Sequence, residues 1–366
     1  MLFPISPKLK RNLNRILPFG IIWLITGWVF LASEALITRN QNLNPDSSVN
    51  LTLPVFIFAS VASISVGLLV GLIELVILER RFRNHSFRKK VFIKFVLYLL
   101  LMLTLMGILF PVATSIELSS SIFHQKIFQR TINFFQSVVF LNTVIQISFQ
   151  LMLSLLYAAI SENLGHQVLT NFFSGKYHQP KKETRIFMFL DMKSSTTIAE
   201  KLGHHKYFEL LQAYYEIMSA PIINTWGEVY QYIGDEVVIT WTAEKGLIDI
   251  NCLRCFYLIK QALKEASVFF ESRFGLVPDF KAALHSGEVT TGEIGALKKE
   301  VIYTGDVLNT TARAQGLCSQ YEADLIITDD LLQSLSERDS FSWCLIGDLP
   351  LRGKSQSVKL YEALQQ

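Results

Sequence analysis

The sequence predicts a chain of two parts, a membrane domain of four transmembrane helices followed by a soluble α+β domain. Three observations predict it. Half of the 366 residues are apolar, more than one small globular domain can use. The longest apolar segments all fall before residue 161, whereas strand-like runs and helical periodicity alternate beyond it. Charge divides at the same place. Residues 1–160 hold 5 of the 31 acidic and 14 of the 34 basic residues, a balance of +9, which leaves 20 basic against 26 acidic, or −6, for the rest. An acidic soluble half argues against nucleic acid as a partner, and makes the bilayer the expected partner of the basic half.

Four segments are long and apolar enough to span a bilayer, at about residues 18–38, 53–78, 91–113 and 132–160. Lys8, Lys10, Arg11 and Arg15 precede the first, and Arg80, Arg81, Arg83, Arg88, Lys89 and Lys90 lie between the second and third. The other two loops carry only Arg39, and Lys126 with Arg130. The positive-inside rule then places the N-terminus, the middle loop and everything after residue 160 on the cytoplasmic side of an inner or plasma membrane. A cleaved signal peptide is the alternative for the first segment, with a poor cleavage site at residues 32–35, and leaves the C-terminal part on the same side. Both outward loops are short, so no extracellular sensor domain is expected. Asn142, Gln146 and Gln150 recur every four residues and line one face of the fourth helix, where they bond a neighbouring helix within one bundle or in a second protomer. Glu74, near the inner end of the second, either reaches toward the headgroups or binds an ion or ligand.

All four cysteines, Cys252, Cys255, Cys318 and Cys344, follow residue 250, on the side expected to be reducing, so no disulfide framework is expected. Cys252 and Cys255 form a CxxC inside "NCLRCFYLIKQAL", which reads as an amphipathic helix. No second ligand pair matches them, and a buried helical pair is expected rather than a zinc or redox site.

Residues 161–182 read as a linker, or transducer, that begins helical and breaks at Gly175 and Pro180. "RIFMFLDM" (185–192) is a strand rich in Ile, Phe and Met. A helix follows, with Thr197 and Glu200 as a capping box and Leu202, Phe208, Leu211, Tyr215 and Met218 at helical spacing. "YQYIGDEVVITW" (230–241) predicts two strands around a Gly-Asp turn. A helix is expected at about 247–274, strands near 279–287 and 300–304, a helix from near Asn309, and short elements over 323–364.

Asp191 closes the first strand and is followed at once by "MKSSTTIAE", so Ser194, Ser195 and Thr196 stand at a helix start whose free N–H groups suit phosphate. Asp235 lies in the central turn. Two carboxylates at the ends of adjacent strands could hold two divalent metals, the clamp that phosphoryl transfer needs. Either Asp alone is an ordinary turn former or helix cap. Taken alone, the central turn fits a plain hairpin, a loose GGDEF loop of a diguanylate cyclase, or the metal turn of a nucleotidyl cyclase.

"FLDMKSST" (189–196), "YIGDEVV" with its Asp 44 residues after the first, "ALHSGEVTTGEIG" (283–295) and "TGDVLNTTARAQ" (304–315) occur in this order. The series resembles the class III adenylyl/guanylyl cyclase catalytic domain over about residues 183–364. The GGDEF alternative fits less well, since Ile233 and Val237 replace its first Gly and its Phe and the later motifs stay unexplained. The resemblance implies a ferredoxin-like βαββαβ core in a catalytic domain at 183–366, working as a head-to-tail homodimer. It implies that Asp191, the Met192 backbone carbonyl and Asp235 hold two Mg²⁺ or Mn²⁺ ions. It also implies that Asn309 orients the ribose, that Arg313 stabilises charge on the phosphate in transfer, and that Lys354 in "LPLRGKSQSV" binds phosphate. At the base-reading positions the sequence departs from the family. Gln231 stands where adenylyl cyclases have Lys and guanylyl cyclases Glu, and Ile302 stands where Asp or Thr is common. An amide donates and accepts, so Gln231 suits either purine, with Thr304 or Tyr303 as a second contact. The implied reaction converts ATP to 3′,5′-cyclic AMP and pyrophosphate. The alternatives are cyclic GMP from GTP, a catalytically silent dimerisation module, and a transporter-like membrane part regulated by the soluble domain.

Overall fold

The computed structural model describes residues 6–37, 48–78, 87–336, 340–349 and 357–365. Arg39, Arg80, Arg81, Arg83 and Lys354 therefore lie outside the described residues. The chain divides into two compact units, one of Leu9–Thr170 and one containing Asn171–Gln366.

The first unit is built from α1 (Pro7–Ile37), α2 (Leu53–Ile73, prolonged by a π turn over Glu74–Leu78), α3 (Phe87–Leu118), α4 (Gln125–Phe135) and α5 (Val138–Leu164). Helix α6 (His166–Ser174) follows. Helices α1, α2, α3 and α5 are each long and apolar enough to cross a membrane. Their shared core joins Phe19 and Trp23 of α1 to Val70, Tyr98, Met102, Leu151 and Leu155. Helices α1 and α2 meet at Gly67, where an added Cβ would lie 2.7 Å from the Phe19 carbonyl oxygen, so only glycine permits the approach. The fourth expected span starts later than its composition suggests. Ser137 accepts a hydrogen bond from the Phe140 N–H (3.3 Å) and begins a new helix, leaving residues 125–135 as a separate amphipathic helix.

Several polar groups in this unit are paired. Gln150 donates to Thr26 Oγ1 (3.0 Å) and Trp23 Nε1 donates to Ser154 Oγ (3.0 Å), so the polar face of α5 serves packing inside the bundle at these positions. Glu74 does not reach outward. It is buried, ion-paired with Lys94 of α3, and accepts from the Tyr98 hydroxyl (3.0 Å).

The second unit is an eight-stranded sheet in the order β2-β3-β1-β4-β6-β8-β7, with β5 paired to β4. The strands are β1 (Lys181–Met192), β2 (Glu228–Ile233), β3 (Glu236–Thr242), β4 (Phe280–Ile294), β5 (Glu300–Thr304), β6 (Leu325–Thr328), β7 (Phe341–Leu349) and β8 (Val358–Gln365). All neighbours are antiparallel except β4 with β6. The helices are α7 (Ser195–Leu202), α8 (His204–Asn224), α9 (Ala243–Leu247), α10 (Asn251–Glu265), α11 (Ser267–Phe274), α12 (Asp306–Leu317) and α13 (Asp329–Ser334). The segment from β1 to β4 is the expected βαββαβ core.

Strand β1 is buried from Ile186 to Leu190 because both faces of the sheet are covered. On one face Ile186, Met188 and Leu190 pack with Leu210, Tyr214 and Met218 of α8 and with Cys252, Phe256 and Ile259 of α10. On the other, Phe187 and Phe189 pack with Val238, Val289 and Val307, the last from α12. Burial pushes the Cys252 and Cys255 thiols up to about 12, which leaves them as inert core residues.

Two strands outrun their sequence signals. Residues 181–184 pair with 288–291, so β1 begins inside the expected linker and β4 continues past residue 287. The expected capping box does not form. The helix after β1 breaks at Gly203 (φ +73), Thr197 lies inside α7, and Phe208 is exposed on α8.

Candidate active site

Strand pairing assembles the site. Leu190 pairs with Val237, so the tight turn of Gly234 and Asp235 between β2 and β3 falls beside Asp191, the second-last residue of β1. Gly234 has φ +65, the left-handed conformation such turns require and a side chain resists. The Asp191 and Asp235 carboxyls lie against each other. Burial first, and then Asp235, push Asp191 above the ordinary aspartate range, while Lys281 and Gln315 pull the other way. Asp235 Oδ2 is buried with no hydrogen-bond partner.

Two close carboxyls, one with an orphaned oxygen, form a site short of positive charge, and hard divalent cations fit such oxygen donors. Among the described residues no group of three or more His, Cys, Asp or Glu side chains forms a metal cage. The Met192 side chain is buried in the core, which leaves its backbone as the part available to the site.

The turn into α7 carries the next candidates. Ser194 is the N-cap in the left-handed conformation (φ 57), and its side chain does not cap the helix, so the N–H groups of the first turn, with Ser195 and Thr196, keep their donor capacity. Lys193 fixes this turn from behind. Its N–H donates to the Asp279 carbonyl (2.9 Å), and its ammonium pairs with Asp279 (2.8 Å) and Asp324. Lys260 of α10 joins the same two carboxylates, closing a ring of four charges.

Helix α12 carries Asn309 and Arg313 one turn apart. Asn309 is exposed, and Arg313 Nη1 is buried without a hydrogen-bond partner. The α12 side chain that lies near Asp191 of the same chain is Gln315, whose buried Nε2 has no hydrogen-bond partner. Residues two apart on a helix are separated by about 200°, so Arg313 lies on the far flank of α12 from Gln315.

The two base-reading candidates sit differently. Gln231 pairs with Val238 and Val238 with Phe189, which puts Gln231 on the α12 face of the sheet, the face of Asp191. Thr304 pairs with Thr290, one step from the Tyr303 and Thr291 pair, and its hydroxyl donates to the Thr290 carbonyl (3.2 Å). Tyr303, with its ring against Phe187 and under Arg185, is the β5 side chain on the α12 face. Thr304 therefore faces away from Gln231 within one chain.

Several residues around the site are not marked in the sequence. Tyr215 of α8 donates its hydroxyl to the Gly234 carbonyl, and the Tyr207 hydroxyl stands near Ser195. Lys281 faces Asp191 across the β1 and β4 ladder. Glu236 has its carboxyl raised by burial and then by Asp191 and Asp235. Its place next to Asp235 is the one signal that could have pointed to it; the others depend on strand register and helix packing.

A βαββαβ core that ends its first strand in one Asp and carries another in its central hairpin turn is the arrangement expected from the resemblance to class III adenylyl/guanylyl cyclase catalytic domains. The second unit has that fold. Over 63% of its length and 67% of the other chain, the chain is similar to the structure of a bacterial light-regulated adenylyl cyclase, with a TM-score of 0.53 and 22% identity. In sequence, the chain is 33% identical over 199 residues to adenylate cyclase 2 of Rhizobium meliloti, covering 54% of this chain and 55% of that one. It is 27% identical over 181 residues to the adenylate cyclase of Anabaena cylindrica, covering 48% of this chain and 36% of that one. The chain thus spans about half, or less, of these two relatives. No family model matches it.

Proposed function

We propose that the chain is a membrane-anchored nucleotidyl cyclase that makes 3′,5′-cyclic AMP and pyrophosphate from ATP, in a head-to-tail homodimer. The observation that carries this reading is the contact between Asp191 and Asp235, two carboxyls short of positive charge beside an uncapped helix start. Asp191, the Met192 carbonyl and Asp235 hold Mg²⁺ or Mn²⁺, two ions per site. Bound there, the ions supply the positive charge that acidifies the substrate 3′-hydroxyl and neutralises the α-phosphate.

The chain's own groups do the rest. Ser194, Ser195, Thr196 and the N–H groups of the α7 start orient the triphosphate. Asn309 orients the ribose, and Arg313 stabilises charge on the phosphorus as the 3′-oxygen attacks in line and pyrophosphate leaves. The guanidinium lies on the flank of α12 opposite Gln315, which supports its serving the Asp pair of a second protomer. Gln231 reads the base, and its amide, donor and acceptor at once, leaves GTP as the second substrate to test. Lys354 joins the phosphate contacts. Residues 1–160 anchor the protein with the N-terminus and the catalytic domain, 183–366, on the cytoplasmic side, and residues 161–182 transmit geometry between the two parts.

The test uses the full chain in lipid nanodiscs with Mn²⁺ and either ATP or GTP, both cyclic products being quantified by mass spectrometry. Cyclic AMP supports the reading, and cyclic GMP moves the substrate to GTP with the mechanism intact. Neither product from folded, dimeric protein overturns it. For the shared site, Asp235→Ala and Arg313→Ala are each inactive, and mixing them restores activity through one intact site per heterodimer. No restoration in a demonstrated mixed dimer sinks the composite site.

A further inference from the structure

We propose that Lys281 is the built-in counter-ion of Asp191, holding in the metal-free site the electrostatic place of a divalent cation and thereby setting how tightly that cation binds. The inference rests on the metal-binding reading of the Asp pair given above and adds a residue to which that reading assigns no role.

Three features of Lys281 carry it. First, position: Asp191 and Lys281 are direct partners in the antiparallel ladder of β1 and β4, so their side chains leave the same face of the sheet. Phe280, Ala282 and Leu284, the alternate residues of β4, point into the opposite core. Second, distance: Lys281 Nζ lies 3.7 Å from Asp191 Oδ2, in ion-pair range but outside hydrogen-bond range. The ammonium therefore acts on the carboxylate through its charge and does not occupy a coordinating lone pair. Third, restraint: the Lys281 ammonium donates to Ser319 Oγ (2.6 Å), just past the end of α12, and its side chain is only 18% exposed. Tied to α12 and largely covered, it is poorly placed to swing into solvent when a cation arrives.

The charge balance follows. Asp191 and Asp235 together bring up to two negative charges, and among the described residues Lys281 is the one basic side chain in ion-pair range of Asp191. In the metal-free state it offsets part of their mutual repulsion. A divalent ion bound to Asp191 meets the same ammonium a few ångström away, and the two cations repel. Lys281 thus stabilises the empty site and weakens the filled one, two effects of the same sign on metal affinity.

The direction of the effect separates this role from a structural one. Binding of Mn²⁺ to the full chain in nanodiscs, without nucleotide, is followed by the electron paramagnetic resonance signal of the free ion. Lys281→Met binds Mn²⁺ more tightly than the parent, on the order of tenfold, the effect of removing one charge close to a divalent ion at high effective dielectric. Lys281→Gln does the same, and Lys281→Arg keeps the parent's affinity. A strand that is merely damaged loses affinity, so unchanged or weaker binding by both neutral variants overturns the proposal. Unchanged binding is also what a purely phosphate-binding Lys281 gives. A folded parent that binds no Mn²⁺ overturns instead the metal reading beneath it, and the two failures are told apart by the parent's own titration.

Discussion

Lys193 and Asp279 are joined twice, by an ion pair of 2.8 Å and by a hydrogen bond of 2.9 Å from the Lys193 N–H to the Asp279 carbonyl. Lys193 follows Met192 directly and so governs the turn that carries the first metal-binding candidates. With Lys260 and Asp324 it ties that turn to α10, the start of β4 and the approach to β6. Lys193→Met is expected to lower kcat on the order of ten- to a hundredfold by letting the turn shift, while Lys193→Arg retains most of it. Nucleotide KM changes little if the lysine positions the turn and touches no substrate, and a steady-state comparison of kcat with KM decides.

The same ring has a pH signature. Burial raises Asp279, but Lys193 and Lys260 outweigh it and hold its carboxyl below the ordinary range. Burial lowers Lys193, but Asp279 and Asp324 outweigh it and hold the ammonium above its ordinary range. A depressed carboxylate stabilises the fold above its unfolded pKa and ceases to do so as pH falls through the folded value; a raised lysine stabilises below its unfolded pKa and ceases to as pH rises through the folded one. The melting temperature of the second unit in the full chain is expected to lose this contribution below about pH 4 and above about pH 10. Lys193→Met flattens both limbs.

Asp191 has the opposite sign. Its carboxyl is raised, by burial and then by Asp235, so the ionised form destabilises the metal-free fold and stability falls as pH rises through the raised value. Asp191→Asn is therefore expected to raise the melting temperature of metal-free protein, by roughly 2–4 °C for each kcal/mol of relieved strain in a domain of this size. Mn²⁺ should raise the parent's melting temperature and leave the variant's where it is, by scanning calorimetry. A variant less stable than the parent without metal would contradict the account.

Glu74 and Lys94 form a buried ion pair in the membrane-type unit, completed by Tyr98. Lys94→Met leaves the carboxylate buried without its counter-charge and is expected to cost about 3–5 kcal/mol. Adding Glu74→Gln to it should recover most of that loss. Unfolding of the full chain in detergent measures both, and equal stability of the two variants would remove the pair from the account.

Gln231 tests base choice. In competition assays with ATP and GTP together, Gln231→Lys should move the product ratio toward cyclic AMP and Gln231→Glu toward cyclic GMP, each by on the order of tenfold, about one charged hydrogen bond gained or lost. A ratio unmoved by either change would place base reading elsewhere.

What the sequence determined by itself is local. Four apolar runs gave four membrane-length helices, because crossing a bilayer needs only length and composition. "GD" between two strand-forming runs gave the hairpin of β2 and β3, because a tight turn is specified by its own residues. The motif series gave the cyclase resemblance and most of the candidate site. Chain breaks were legible less well: Ser137 cuts a run that composition alone joins, and Gly203 divides the helix that the sequence pattern carries from Thr197 to Met218. Only the tertiary structure decided the partners across space. The extra length of β1 and β4 exists because each gives the other hydrogen bonds, and neither segment announces the other. Lys281 meets Asp191, Lys94 meets Glu74, and Gln315 rather than Arg313 turns toward the Asp pair, for reasons of register and helix rotation. A sequence fixes the period of each element, whereas the phase between elements is set by how their buried faces pack, and in this chain the electrostatics of the candidate site depend on that phase.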